Sequence, residues 1–125
     1  MQFEKDLVLD LLLQIKEALK IVKKRCSFAK CEDDFFDTEE GQEKLDSICM
    51  KLIAVGESLK NIDKLTNNEL LKSYNHIAWK DIKGIRDILS HHYFDLDASI
   101  IFDICKEHID KVIVTIDDMI EDLDN

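Results

Sequence analysis

The chain has 125 residues, of which 46% are hydrophobic and 35% charged, with three glycines and no proline. That length suits one domain with its own core, and the scarcity of helix-breaking residues favours long amphipathic helices over strands. A net charge of −10 opposes non-specific binding to any polyanion, so contact with a nucleic acid must depend on a local site.

The apolar run near the start, Leu11 to Leu13, is far too short to span a membrane, and the acidic residues around it do not suit a secretory signal. We therefore expect a cytoplasmic protein. The four cysteines lack the dense spacing of a secreted disulfide scaffold, and no histidine or close second pair completes a metal site. We expect no metal, and reduced, partly buried thiols at Cys26, Cys31, Cys49 and Cys105.

The first half of the chain predicts two long helices. Apolar residues recur at three- and four-residue steps from Leu7 to Val22, followed by the basic segment KKRC, which suits a helix C-terminus. Residues 27–37 break this pattern and predict a connection. Thr38, before two glutamates, predicts the start of the second helix, whose apolar stripe continues to Ile62. Gly56 lies on that stripe, where a missing side chain lets another helix approach closely.

The second half predicts a short helix and two longer ones. Thr66 is a candidate cap for a short helix that ends near Tyr74, and the next helix contains residues 79–89. Asp97 caps the last helix, whose apolar stripe includes His108, so we expect a buried, hydrogen-bonded histidine there. The pattern as a whole predicts an all-α fold: an up-and-down bundle of four to five helices, with a single domain over residues 1–125.

The segment RDILSHHYF, residues 86–94, concentrates groups that bind phosphate or transfer protons. Arginine offers paired donors to phosphate oxygens, and histidine titrates near neutral pH. Such groups suit cleavage of RNA by its own 2′-hydroxyl. In that reaction a base removes the hydroxyl proton, an acid protonates the leaving 5′-oxygen and a cation stabilises the phosphorane, and no metal is required.

The spacing of Arg86 and His91 sets a geometric condition. On an unbroken helix, residues five positions apart point roughly 140° away from each other and cannot share a ligand. The two side chains converge if the helix ends or bends near Ser90, or if they come from two subunits that meet across a two-fold axis. The sequence leaves both arrangements open.

This segment resembles the motif of the HEPN superfamily and, within it, of the HepT-like toxins. That motif is an arginine, a polar residue, three further residues, a histidine, any residue and a tyrosine. The segments VGESLKNI (55–62) and HIAWKDIKGIRDILSHHYFDLD (76–97) also resemble the family, although the proline that many relatives carry shortly before the tryptophan is absent. The motif positions in this chain are Arg86, Asp87, residues 88–90, His91, His92 and Tyr93.

The resemblance implies a HEPN-like helical bundle that dimerises and acts as a toxin, a metal-independent endoribonuclease without a cofactor. Arg86 would bind phosphate, and two copies of His91 would divide the roles of acid and base. Family members are paired with an MNT-type nucleotidyltransferase antitoxin that attaches AMP to the motif tyrosine, here Tyr93. The attached group would place bulk and negative charge beside Arg86.

Other polar residues near the motif receive a weaker, supporting assignment. Lys80, Lys83 and Arg86 lie three positions apart and form a short basic ridge, and Asp87 and His92 adjoin it. We assign these neighbours to RNA binding, with an ordinary salt-bridged helix surface as the alternative. For the whole chain, the alternative function is a non-catalytic helical module that binds a nucleotide or a partner.

Overall fold

The computed structural model describes residues 3–125 and contains only helices and turns within that range. The expected all-α class is confirmed. Three short 3-10 turns, at Glu32–Phe35, Leu71–Tyr74 and Tyr93–Asp95, lie between the main helices. These helices are α1 (Lys5–Cys26), α2 (Glu39–Leu65), α3 (Trp79–His91), α4 (Ala98–Asp103) and α5 (Ile109–Asp124), with the π turn Ile104–His108 joining α4 to α5.

The longest helix, α2, lies between α1 and α3, and α1 also packs against α5. Fully buried side chains from three helices and one turn meet in the core, among them Leu12, Ile48, Met119 and Phe35. Burial of this apolar surface is what holds the bundle together, because no single amphipathic helix is stable alone in water. Across residues 3–125, no helix is both long and apolar enough to cross a membrane.

Two of the three predicted N-terminal caps, Thr38 and Asp97, are present. The Thr38 hydroxyl accepts a hydrogen bond from the Gly41 backbone N–H at 2.9 Å, which starts α2. The Asp97 carboxylate accepts one from the Ser99 N–H, also at 2.9 Å, which starts α4. Each cap satisfies an amide that has no partner inside its helix, so these polar residues fix where the helices begin.

Thr66 ends a helix and does not begin one, contrary to the prediction. Its hydroxyl donates to the carbonyl of Ile62 at 2.8 Å, and its own backbone N–H bonds to the same carbonyl, closing α2. Asn67 and Asn68 then adopt positive φ angles of 56° and 63°, a conformation that asparagine tolerates better than most residues. The short 3-10 turn follows and ends at Tyr74, as predicted.

His108 is exposed, so the prediction of a buried histidine is wrong. The π turn is wider than an α turn, and the buried residues Ile101, Cys105 and Ile109 follow one another at four-residue steps through it. This change of period turns His108 away from the core, and its Nε2 lies 3.4 Å from a carboxylate oxygen of Asp103.

The cysteines also differ from expectation. Cys26 at the end of α1 and Cys105 in the π turn form a disulfide across 79 positions of sequence, with Cα atoms 6.2 Å apart. Of the two remaining thiols, Cys31 is exposed and Cys49 is buried. Burial, with a smaller contribution from the nearby Asp46 carboxylate, raises the pKa of Cys49 to about 12. The thiol of Cys49 is therefore protonated and unreactive at neutral pH.

Candidate active site

The candidate site begins where α3 crosses α2 at Gly56. A Cβ atom added to Gly56 would lie 2.9 Å from the Cβ of Arg86, closer than two packed carbon atoms normally approach. The glycine predicted to admit a neighbouring helix therefore does so, and the residue that it admits is the motif arginine. This crossing fixes the backbone of Arg86 against α2.

The guanidinium of Arg86 has two acidic neighbours. Its Nε lies 2.7 Å from a carboxylate oxygen of Glu57, and its Nη1 donates to Asp87 at 3.0 Å. The Nε–H is buried and has no acceptor in line with it, so the Glu57 contact is an ion pair without a hydrogen bond. The hydrogen bond to Asp87 and the charge of Glu57 raise the pKa of Arg86, which is therefore a permanent cation.

Asp87 connects this cation to a second one. Its carboxylate accepts the hydrogen bond from Arg86 and lies 3.7 Å from the Nζ of Lys60 on α2. The Arg86 hydrogen bond, followed by the Lys60 charge, lowers the pKa of Asp87. The polar residue of the motif thus orients the arginine and links α3 to α2.

Arg86 and His91 both lie close to Asp87 within one protomer. The helix α3 ends at His91, one residue beyond Ser90. Arg86 contacts Glu57 on α2 and donates a hydrogen bond to Asp87, and His91 lies one helical turn after Asp87, where its charge contributes to the low pKa of that carboxyl. The helix end near Ser90 that the first arrangement requires is therefore present, and the arrangement shared between two subunits stays a prediction.

Tyr93 lies beyond the end of α3, and its hydroxyl donates a hydrogen bond to the Asp46 carboxylate on α2. Asp46 and Glu57 are 11 positions apart in α2, which corresponds to about 16 Å along the helix axis. The tyrosine hydroxyl and the Arg86 guanidinium of one protomer are therefore well separated. This separation is contrary to the expectation that AMP on Tyr93 would lie directly beside Arg86.

The supporting residues are less available than the sequence suggested. Lys83 forms an ion pair with Asp63 on α2, and Arg86 is paired as described above. Lys80 is exposed and makes no ion pair within residues 3–125. His92 caps the end of α3, with its Nδ1 3.9 Å from the Asp95 carboxylate. The basic ridge therefore offers one free cation, and its other members hold α3 on α2.

Four residues of this site were missed in the sequence: Asp46, Glu57, Lys60 and Asp63. They lie on or next to a second stripe of α2, at three- and four-residue steps that include Gly56. Charged residues spaced in this way around a glycine indicate the face that receives another helix. Gly56 also belongs to the apolar stripe of α2. In the sequence, the glycine is therefore assigned to that stripe, and the charged residues around it are overlooked.

A cavity of about 270 Å³ is enclosed by α1, α2, α3 with the residues before it, and the segment from the π turn into α5. Its walls are mainly aliphatic, and no motif residue from 86 to 93 lines it. Across residues 3–125, no group of three or more His, Cys, Asp or Glu side chains is placed to hold a metal ion. The candidate site is therefore the exposed edge formed by α2, α3 and the turn after α3.

Comparison with known proteins identifies the family of this chain. Residues 8–119 match the family model described as ribonuclease HepT-like. A protein of Methanocaldococcus jannaschii named gamma-glutamylcyclotransferase and putative RNase is 35% identical over 95 residues, which cover 76% of this chain and 40% of that protein. The probable ribonuclease HepT of Thermococcus cleftensis is 28% identical over 102 residues, 80% of this chain and 84% of that protein.

A putative RNase, also of Methanocaldococcus jannaschii, is 28% identical over 92 residues, covering 74% of this chain and 70% of that protein. No solved structure gives a significant match. The family model spans most of the chain, including the whole motif from Arg86 to Tyr93. The chain therefore belongs to the ribonuclease HepT-like family.

Proposed function

We propose that this protein is the toxin component of a toxin-antitoxin pair, a metal-independent endoribonuclease that acts on RNA such as tRNA or mRNA in the cytoplasm. The observation that carries the proposal is the motif itself: a permanently charged Arg86 fixed against α2, followed by an exposed His91 at the end of the same helix. The family assignment supports the same activity.

The active site in this proposal belongs to a homodimer. Residues five positions apart on a continuous helix point roughly 140° away from each other, which favours a phosphate bound between two protomers that each contribute one of the two side chains. Apolar side chains around the motif support such an interface, since they are exposed in the single chain. These are Met50, Ile88, Tyr93 and Phe94, the last of them fully exposed.

Each group then has a defined task. Arg86 binds the scissile phosphate and stabilises the charge of the phosphorane, exchanging part of its pairing with Glu57 for the substrate. One copy of His91 removes the proton of the 2′-hydroxyl, and the second copy protonates the leaving 5′-oxygen. The products are a 2′,3′-cyclic phosphate and a 5′-hydroxyl end.

Restraint of the toxin is assigned to Tyr93 and to an MNT-type nucleotidyltransferase antitoxin. AMP attached to the half-exposed tyrosine adds bulk and negative charge at the edge of the shared cleft. In one protomer the hydroxyl lies about 16 Å along α2 from the level of Arg86. We therefore expect the block to act on the cleft as a whole by excluding RNA, and not by covering Arg86 of the same protomer.

The experiment is cleavage of total RNA and of tRNA in EDTA by protein shown by mass to carry no AMP. We expect cleavage by the wild type, with cyclic phosphate ends, and a loss of at least about 100-fold in Arg86→Ala and in His91→Ala. His108→Ala is the matched control because that histidine is also exposed but lies outside the motif. Helix content of each variant is checked by circular dichroism.

The alternative function is a non-catalytic module that binds a nucleotide or a partner through the same residues. The pairing of Arg86 with Glu57 and Asp87 favours it, because two carboxylates already neutralise the cation that would hold a phosphate. If wild-type protein free of AMP leaves RNA intact, the result contradicts the ribonuclease proposal and supports this non-catalytic alternative. Cleavage that persists in both alanine variants would show that the active site lies outside the motif.

A further inference from the structure

We propose that Asp46 is the residue that prepares Tyr93 for modification: its carboxylate positions the tyrosine hydroxyl and accepts its proton when AMP is attached. This inference rests on the proposed function, since it concerns the same tyrosine and the same nucleotidyltransferase. It adds a residue of the toxin itself to the chemistry of silencing. The evidence is the direct contact between the Tyr93 hydroxyl and an Asp46 oxygen.

The charge of Asp46 is available for this role. Several other carboxylates on this edge of the molecule are neutralised: Asp63 pairs with Lys83, and Asp87 with Arg86 and Lys60. Within residues 3–125, no basic side chain forms an ion pair with Asp46. No cation in that part of the chain therefore competes for this exposed carboxylate, and the hydrogen bond that it accepts comes from the nucleophile itself.

The contact also fixes the position of the hydroxyl. Asp46 is held in the regular helix α2, whereas Tyr93 belongs to a three-residue turn with no buried side chain. The ring of Tyr93 has an edge contact with Phe94, with centroids 6.4 Å apart, and is otherwise half-exposed. Tying the phenol to a rigid helix reduces the conformations that an incoming enzyme must select, which favours the reaction through orientation.

The chemical step is a transfer of a nucleotidyl group from a nucleoside triphosphate supplied by the antitoxin. The Tyr93 oxygen forms a bond to the α-phosphorus, the bond between the α-phosphorus and the bridging oxygen breaks, and pyrophosphate leaves with that electron pair. The hydroxyl proton passes to the Asp46 carboxylate and from there to water. No oxidant or reductant is needed.

The Asp46 carboxylate then repels the modified side chain of Tyr93. After transfer, the tyrosine oxygen has no proton to donate, and a phosphodiester anion lies next to a carboxylate. Loss of the hydrogen bond and repulsion between the two negative groups release the modified side chain from α2. Attachment of AMP thus changes both the charge of Tyr93 and its position.

The test measures the initial rate of AMP attachment by intact-protein mass. Toxin free of AMP is incubated with ATP, Mg²⁺ and its proposed partner, an MNT-type nucleotidyltransferase. Asp46→Asn retains an oxygen that accepts the tyrosine hydrogen bond but cannot take its proton, whereas Asp46→Ala removes both. We expect kcat to fall at least about 10-fold in Asp46→Asn with little change in KM for the toxin, and Asp46→Glu to recover part of the rate.

Glu43→Gln is the matched control, because it removes an exposed carboxylate from α2 one turn earlier, and we expect the wild-type rate. Thermal melting confirms that each variant folds. An unchanged rate in Asp46→Asn would overturn the assignment of Asp46 as proton acceptor, even if Asp46→Ala were slow. Wild-type toxin that acquires no AMP would instead refute the proposed restraint, so the two failures are distinguishable.

Discussion

Two regions of this molecule differ in the number of residues that they bury. The pair α1 and α2 contributes six and nine buried residues, whereas α3, which carries the motif, contributes two, Trp79 and Leu89. The turn after α3 buries none. Stability therefore depends more on the α1–α2 pair than on α3, and the motif lies on a segment with fewer buried contacts, whose exposed side chains would meet a second protomer or RNA in the proposed function.

The largest expected effect is on the association of two protomers, without an effect on the folding of each one. Phe94 is fully exposed and touches only its neighbour Tyr93 among aromatic rings, so Phe94→Glu should leave the stability of the protomer unchanged. In the proposed dimer, a charge at this position should dissociate the protein and lower RNA cleavage at least about 100-fold, because the proposed active site is shared between two protomers. Light scattering coupled to size-exclusion chromatography, and cleavage in EDTA, measure the two effects.

Val114→Glu is the control for that variant. Val114 is also an exposed apolar residue, but it lies on α5, away from the motif. We expect it to remain dimeric and active. Full cleavage by a monomeric Phe94→Glu protein would rule out a site shared between protomers.

A second comparison tests stability directly. Leu12 in α1 is fully buried, and Leu12→Ala should lower the free energy of unfolding by about 2–5 kcal/mol through lost apolar contact and the cavity left behind. Ile88 in α3 is 40% exposed, so Ile88→Ala should cost less, about 1 kcal/mol or below. Urea denaturation at protein concentrations that keep the oligomeric state constant measures both. Equal losses would contradict the division into two regions.

Gly56 in α2 and Gly84 in α3 give a finer test. Gly56→Ala places a methyl group 2.9 Å from the Arg86 Cβ and should destabilise the fold by about 1–3 kcal/mol, because two helices must move apart. Gly84 lies within α3 with no atom in the way, so Gly84→Ala should stabilise it by up to about 1 kcal/mol through helix propensity. Melting temperatures that shift in opposite directions would support this packing, and a stable Gly56→Ala protein would contradict it.

The smallest expected effect is on acid stability. Hydrogen bonds from the backbone N–H groups of Lys30 and Cys31 lower the pKa of Asp34. Hydrogen bonds from the side chain and then the backbone of Ser99 lower the pKa of Asp97, and the hydrogen bond from Arg86 lowers the pKa of Asp87. A carboxyl with a lower pKa in the folded state contributes stability above its unfolded value, 3.8, and loses it as pH falls through the folded value. Melting temperature should therefore decline below about pH 4.

Asp97→Asn checks this account, because it removes one of the three titrating groups while retaining a side chain that can cap α4. We expect a shallower dependence of melting temperature on pH in the acid range. An identical slope in the variant would show that Asp97 does not contribute to the loss.

Local signals predicted much of this fold from the sequence. The caps at Thr38 and Asp97 and the close approach at Gly56 depend on neighbouring residues or on a missing side chain, which a sequence displays directly. The motif was likewise visible as a short pattern. The motif pattern did not predict the direction in which each of its side chains points, because that direction depends on where α3 ends.

Contacts between distant segments account for the errors. The bond from Tyr93 to Asp46 and the disulfide between Cys26 and Cys105 join residues 47 and 79 positions apart. No spacing rule predicts them without the arrangement of the helices. His108 was misassigned because a constant helical period was assumed across a turn whose period is wider.

That π turn also bears on how the chain length of this family can vary. Ile101 and Ile109 both face the core although they are eight positions apart, a spacing that a regular α-helix would rotate by roughly 80°. Seven positions would bring the two residues back into register on an ordinary helix. The segment 104–108 is therefore a place where evolution can delete one residue without changing the face that α5 presents to the bundle.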